Sequence, residues 1–177
     1  MAASERQLRK HWATMRKRLG LEPPVTEGQL LAAVQTMRER PLLVLPTAME
    51  AASACGWWFP LEDLDLVLVD EAASGPRRTA IIGHELGHML LGHAPREVGS
   101  IPQWGLEKLR ADFNLLPSSL LQGAAGLARS SYENGEEAEA ERYGMMLFGQ
   151  ISDGERQLAD QQADPMLAQL RDTLGCG

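Results

Sequence analysis

Apolar residues recur through the first forty positions at intervals of three and four, the spacing that gathers them on one side of a helix. Leu8, Trp12, Met15 and Leu19 make the first such stripe, with Ser4 as N-cap, Gln7 in the capping-box position and Gly20 past the end. After Glu22-Pro23-Pro24 the signature repeats: Thr26 and Gln29 cap a second stripe of Leu30, Ala33, Val34 and Met37 that Pro41 stops. Two amphipathic helices are predicted, packed as a layer on the rest of the chain. From Pro41 the period changes. Leu42-Leu43-Val44-Leu45, bounded by Pro41 and Pro46, predicts a short buried strand, and a brief helical stretch is expected near Ala48 to Ala54. Gly56-Trp57-Trp58-Phe59 then precedes Asp65-Leu66-Val67-Leu68-Val69-Asp70, the strongest strand pattern in the chain.

The turn Ala73-Ser74-Gly75-Pro76 opens a third helix, with Pro76 in the first turn, where its missing N–H costs nothing. Between Thr79 and Gly92 the only charged residue is Glu85, set among Ala80, Ile81, Ile82, Leu86, Met89, Leu90 and Leu91. A helix apolar on nearly all sides is buried, and a lone buried carboxylate costs several kcal/mol unless a site neutralises, pairs or solvates it. His84-Glu85-Leu86-Gly87-His88 supplies such a site. Imidazoles at i and i+4 share a helix face and can ligate one zinc ion, while Glu85 is placed to take a proton from water at the metal. The alternative, a core histidine pair with an incidental glutamate, leaves the buried carboxylate unexplained. His93 is out of register for a third ligand of the HExxHxxGxxH kind, because Leu91 and Ala94 stand where that pattern has Gly and His. It is expected at the helix end or on a polar surface.

Composition narrows the class. With 177 residues, 44% of them hydrophobic, the chain can bury a full core in one domain, and no apolar run has the length to span a bilayer. The polar and basic start is unlike a signal core, so a cytoplasmic protein is expected. Cys55 and Cys176 form no CxxC pair and suggest neither a disulfide framework nor a cysteine metal site; a small core residue and a tail thiol are expected. The net charge is −7, but residues 1–20 carry +5, leaving −12 for the remainder. An acidic body argues against nucleic acid as a direct ligand. The basic first helix is read as a solvated face, with contact to an acidic partner as the alternative. Residues 95–134 contain Pro102, Trp104, a predicted helix from Gly105 to Phe113 and a Gly/Ala-rich segment, which could line a cleft or simply pack.

Two histidines leave a zinc site one ligand short. The acidic run Glu136-Glu137-Ala138-Glu139-Ala140-Glu141 is the place to look: it starts a helix near Asn134 that also carries Ala140, Tyr143, Gly144, Met145, Leu147 and Phe148, so one or more of its glutamates must face inward. The HExxH segment, the strand Leu66 to Val69 and Glu137-Ala138-Glu139-Ala140-Glu141 together resemble the ImmA/IrrE family of bacterial and phage zinc metallopeptidases, of gluzincin type, over roughly residues 41–150. The resemblance implies that Glu137 is the third ligand and that Glu141, a turn on, orients a ligating histidine. Glu139 points elsewhere by helical geometry. The family's histidine four residues beyond the second ligand is here displaced by Gly92 to His93.

The expected fold is α+β: a small zincin-like metallopeptidase domain, mostly helical, with a small sheet flanking the HExxH helix. A helical pair (1–40) precedes the catalytic core (41–150) and a helical tail (151–177) follows. The expected activity is zinc-dependent hydrolysis of a peptide bond in one protein substrate, which the resemblance implies is a DNA-binding transcriptional repressor. A peptide would lie along the edge of the strand before the metal helix. Tyr132 is a candidate oxyanion stabiliser, its alternative being a tyrosine packed at a helix start; Tyr143 should point into the core. The rival reading is a binding module that associates with a repressor or toxin partner around a structural zinc, followed by a zinc-binding regulator acting through the basic helix. An intact Glu85 favours the enzyme, since a structural zinc site needs no general base.

Overall fold

The structure is a computed structural model that describes residues 3–49, 56–61, 63–93 and 134–173, with side chains of the last stretch described from 135 to 161. Within them the architecture is α+β, with four helices and one three-stranded mixed sheet. Helices α1 (Glu5–Arg18) and α2 (Glu27–Arg38) start where their caps allow, at Ser4 and Thr26, and both capping boxes form with Gln7 and Gln29. α1 buries Leu8 and Trp12 and leaves Arg6, Arg9, Lys10, Lys17 and Arg18 exposed, so its basic residues make a solvated face on a packed helix. No helix among the described residues is long and apolar enough to cross a membrane.

Strands β1 (Leu42–Thr47), β2 (Gly56–Pro60) and β3 (Asp65–Asp70) lie in the order β1-β3-β2, with β3 parallel to β1 and antiparallel to β2. β3 is apolar without alternation because it is central and covered on both faces. That position corrects one expectation. The edge for an added peptide cannot be that of β3, which is paired on both sides; among the described residues the outer strands are β1 and β2. β1 runs one residue past Pro46, which an edge strand tolerates because a proline there withholds no ladder bond the sheet needs. Trp57 to Phe59 turn out to be strand as well. Ala48 and Met49 have no regular structure, and the rest of the brief helix expected up to Ala54 lies outside the described residues, as do Cys55, Cys176, Tyr132 and the predicted helix Gly105 to Phe113.

The N-terminal end of the sheet is held by Asp65, whose fully buried carboxylate accepts two bonds from Arg38 and one from the Trp58 indole (2.9 Å), with Arg40 3.7 Å away. Helix α3 (Gly75–Leu91) is tied to α2 by Glu27, which accepts from Arg78 (2.6 Å) and Thr79 (2.9 Å). Helix α4 (Asn134–Thr173) passes residue 150 without a break, so the expected C-terminal tail begins as a continuation of the acidic helix. The main core joins Leu8, Trp12, Leu30 and Val34 to Trp58, Val67 and Val69 on one sheet face, and to Ile82, Leu86, Tyr143, Leu147 and Ile151 on the two long helices. A smaller cluster, including Leu45, Phe59, Leu66 and Leu68, lies on the other face.

Among the described elements α3 and α4 make the most extensive contact, and it is made at backbone distance. Gly83 and Gly87 on α3 meet Ala140 and Gly144 on α4: a Cβ at Gly144 would lie 2.7 Å from the His84 backbone, one at Gly83 2.9 Å from the Gly144 carbonyl oxygen, and one at Gly87 3.0 Å from that of Ala140. Only residues without bulk at these four places let the helices come this close.

Candidate metal centre

On α4 the inward stripe runs Ala140, Tyr143, Gly144, Leu147 and Ile151, all buried. Glu137 lies one turn before Ala140 on that stripe, so the close crossing that seats Ala140 against Gly87 also carries the Glu137 carboxylate over the imidazoles of α3. Met145, expected with the buried set, is exposed.

The result is a triangle of ligand atoms. His84 Nε2 and His88 Nε2 are 3.1 Å apart, and Glu137 Oε2 is 3.4 Å from the first and 3.8 Å from the second. A tetrahedral zinc with bonds of about 2.0–2.1 Å places its ligand atoms about 3.3–3.4 Å apart. The donor set, two imidazole nitrogens and one carboxylate, therefore fits that ion in chemistry and in size. The triangle is closed on one side and open on the other: the His88 side chain is fully buried, whereas those of His84 and Glu137 are 30% and 47% exposed.

Burial keeps both imidazoles in the form that could bind a metal. Desolvation, followed by the neighbouring His84 and His93, pushes His88 down to about 3. Desolvation lowers His84 too, against the opposing pull of Glu137 and Glu141. Both rings are then neutral at pH 7, as a ligand must be. Glu85 shows the converse: burial, then the Glu137 charge, raises its carboxyl to about 8, while the Trp58 backbone N–H that it accepts opposes the rise. Its oxygen lies against Gly56, where a Cβ would come within 2.9 Å of Oε1 and closer still to Ile81 Cγ2. Gly56 thus leaves the room in which the carboxylate sits. A cation in the triangle would lower Glu85 again by offsetting the Glu137 charge.

His84, Glu85, His88 and Glu137 are thus brought together as the pattern and the resemblance imply. Tyr143 points into the core, where burial raises its hydroxyl pKa and it contacts His11 Nδ1 at 2.9 Å. Glu141 is exposed, acts on His84 through its charge, and lines a groove of about 960 Å³ between α1 and α4 together with Leu8, Trp12 and Met146.

His93 overturns the polar-surface alternative. It follows the helix end but is 8% exposed, with its Nδ1 3.0 Å from His88 Nδ1 and its Nε2 3.5 Å from Glu139 Oε2. Gly92 explains the reversal: in the left-handed region at φ 74° it ends α3, and the His93 N–H bonds back to the His88 carbonyl at 3.0 Å. A helix-terminating glycine directly before a histidine was the sequence signal for this fold-back. No family model, no curated protein and no solved structure matches the chain.

Proposed function

We propose that the chain is a cytoplasmic zinc metallo-endopeptidase of zincin-like fold that hydrolyses a peptide bond in one protein substrate. Its resemblance to the ImmA/IrrE peptidases makes a DNA-binding transcriptional repressor the substrate class. The observation that carries the reading is Glu85: a buried carboxylate on the same helix turn as two neutral imidazoles, which a purely structural metal site would not need. His84, His88 and Glu137 would hold the ion. When bound, zinc supplies Lewis acidity, polarising a carbonyl and bringing the pKa of water toward neutrality.

The remaining chemistry belongs to the chain. Glu85 takes the proton of the attacking water on its carboxylate and returns it to the leaving nitrogen. That carboxylate is buried beside Ile81 at Gly56, out of bulk solvent. Among the described residues β2 pairs with β3 alone, and the Trp58 N–H bonds to Glu85, so the other side of the strand faces the site and would offer the docking edge. An extended peptide laid along β2 would pass beside the general base, held by main-chain groups of the strand other than the Trp58 N–H.

Co-expression with candidate repressors, followed by mass analysis, tests the reading. A discrete cleavage is expected with the wild type and none with Glu85→Gln, zinc content being equal. Partner binding that survives in Glu85→Gln, with no cleavage by a zinc-loaded wild type, would favour the binding module.

A further inference from the structure

Each ring nitrogen of His88 has a separate task. Nε2 points into the ligand triangle, and Nδ1 faces the other way, 3.0 Å from His93 Nδ1. Two facing ring nitrogens at that distance attract only if one carries a proton and the other a lone pair. A ligating Nε2 must itself be bare, so the shared proton belongs to His88 Nδ1, and His93 Nδ1 accepts it. A neutral His93 then carries its own proton on Nε2, directed at Glu139 Oε2 3.5 Å away. Glu139 is anchored in turn by the backbone N–H of Ala3, which bonds to its other oxygen. Glu139 thus accepts at both oxygens, and each proton between it and the ligand triangle points away from the triangle. His88 is fully buried and His93 nearly so, which keeps bulk water from competing for these positions.

We infer that His93 and Glu139 are positioning residues that fix the tautomer and ring orientation of His88 for metal binding. This inference rests on the metal-site reading. The two residues come from elements that nothing in the HExxH pattern connects: one follows the αL turn at Gly92, and the other stands two residues after Glu137 on α4. Groups hydrogen-bonded behind a ligating histidine typically account for 10–100-fold in metal affinity. On the His88 side, the orienting task that the resemblance gives to Glu141 falls to this pair.

The test uses the full chain, zinc competition against a chromophoric chelator, the visible spectrum of the cobalt-substituted protein, and circular dichroism of the metal-free form. His93→Phe keeps a ring in the cavity but offers no acceptor; its zinc Kd should rise about 10–100-fold and its cobalt bands should shift. His93→Gln can accept from His88 through its amide oxygen and donate to Glu139 through its amide nitrogen. It should stay within about threefold of wild type and keep the cobalt spectrum. A His93→Phe protein with wild-type Kd and cobalt bands overturns the inference, and so does a His93→Gln protein that loses zinc as severely as His93→Phe. Should His93→Phe fail to fold, Glu139→Ala decides: a raised Kd supports the pair and an unchanged one overturns it. A wild type that takes up no zinc overturns the metal-site reading itself, whereas a zinc-loaded wild type beside an unaffected His93→Phe overturns only the role of His93 and Glu139.

Discussion

Glu137 and Glu139 differ by two positions on α4 and reach different partners. Glu137 Oε2 closes the ligand triangle, while Glu139 reaches His93 behind it. Glu137→Ala should therefore abolish tight zinc binding, and Glu139→Ala should weaken it by about tenfold; isothermal titration of the two variants checks the ranking, and a reversed order would place the third ligand wrongly. Glu85 permits a prediction for the metal-free protein. Its carboxyl is raised from its ordinary 4.5 to about 8, so the folded state holds a proton that the unfolded chain has lost over that interval. This contribution to stability is full below about pH 4.5 and is lost as pH rises through 8. His88 works in the opposite sense: lowered to about 3, it costs the fold stability only as pH falls below about 6.5. From pH 6.5 to 8 Glu85 acts alone of the two, so the metal-free melting temperature should fall across that range in the wild type and change less in Glu85→Gln. Calorimetry showing the same slope for both would remove Glu85 as the source.

The α3–α4 crossing is where packing and chemistry meet. A methyl group added at Gly144 would lie 2.7 Å from the His84 backbone, and helix backbone cannot yield there without the two axes parting. Gly144→Ala should cost about 1–3 kcal/mol of stability, read from chemical denaturation. It should also weaken zinc binding, because moving α4 outward moves Glu137 off the triangle. Gly149 on the same helix has nothing within 4 Å of the place a Cβ would take, so Gly149→Ala serves as a control expected to leave zinc binding intact and to raise stability by about 0.5–1 kcal/mol. Helix α3 depends equally on its end. Gly92 stands at φ 74°, and a residue with a Cβ there strains the turn that brings His93 back under His88.

For the molecule as a whole, the candidate ligands come from two helices about fifty residues apart in sequence, so a bound ion would cross-link α3 to α4. An ion that binds only the folded state stabilises it by about 4 kcal/mol at a free concentration one thousand times Kd. Zinc should therefore raise the melting temperature at pH 7.5 and a chelator should reverse the rise, with about one ion bound per chain. The gain should shrink only well below pH 6.5, because burial lowers both histidines and holds His88 neutral down to about pH 3. A melting temperature indifferent to zinc at pH 7.5 would mean that the ion does not bridge the two helices. The layer of α1 and α2 packs on this unit through Trp12 against Tyr143 and through Gly154, where a Cβ would run into the Val25 backbone.

Local signals determined much of this protein. Capping boxes at Ser4 and Thr26, the apolar run of β3, the proline at the start of α3 and the isolated Glu85 in its apolar helix each act within a few residues, so spacing alone exposes them. His84 and His88 needed only the helical period to share a face. Glu137 as third ligand was implied by the resemblance. The glycines that let α4 approach α3 can be read in the sequence, but what each would touch cannot, because that depends on the crossing. Tertiary structure alone decided that β3 is central, with β1 and β2 on either side of it, since strand order is set by pairing between distant segments. It also decided the place of His93. Helical spacing extrapolated past Leu91 puts that ring off the ligand face, but Gly92 ends the helix and turns the chain back, so His93 is buried against His88.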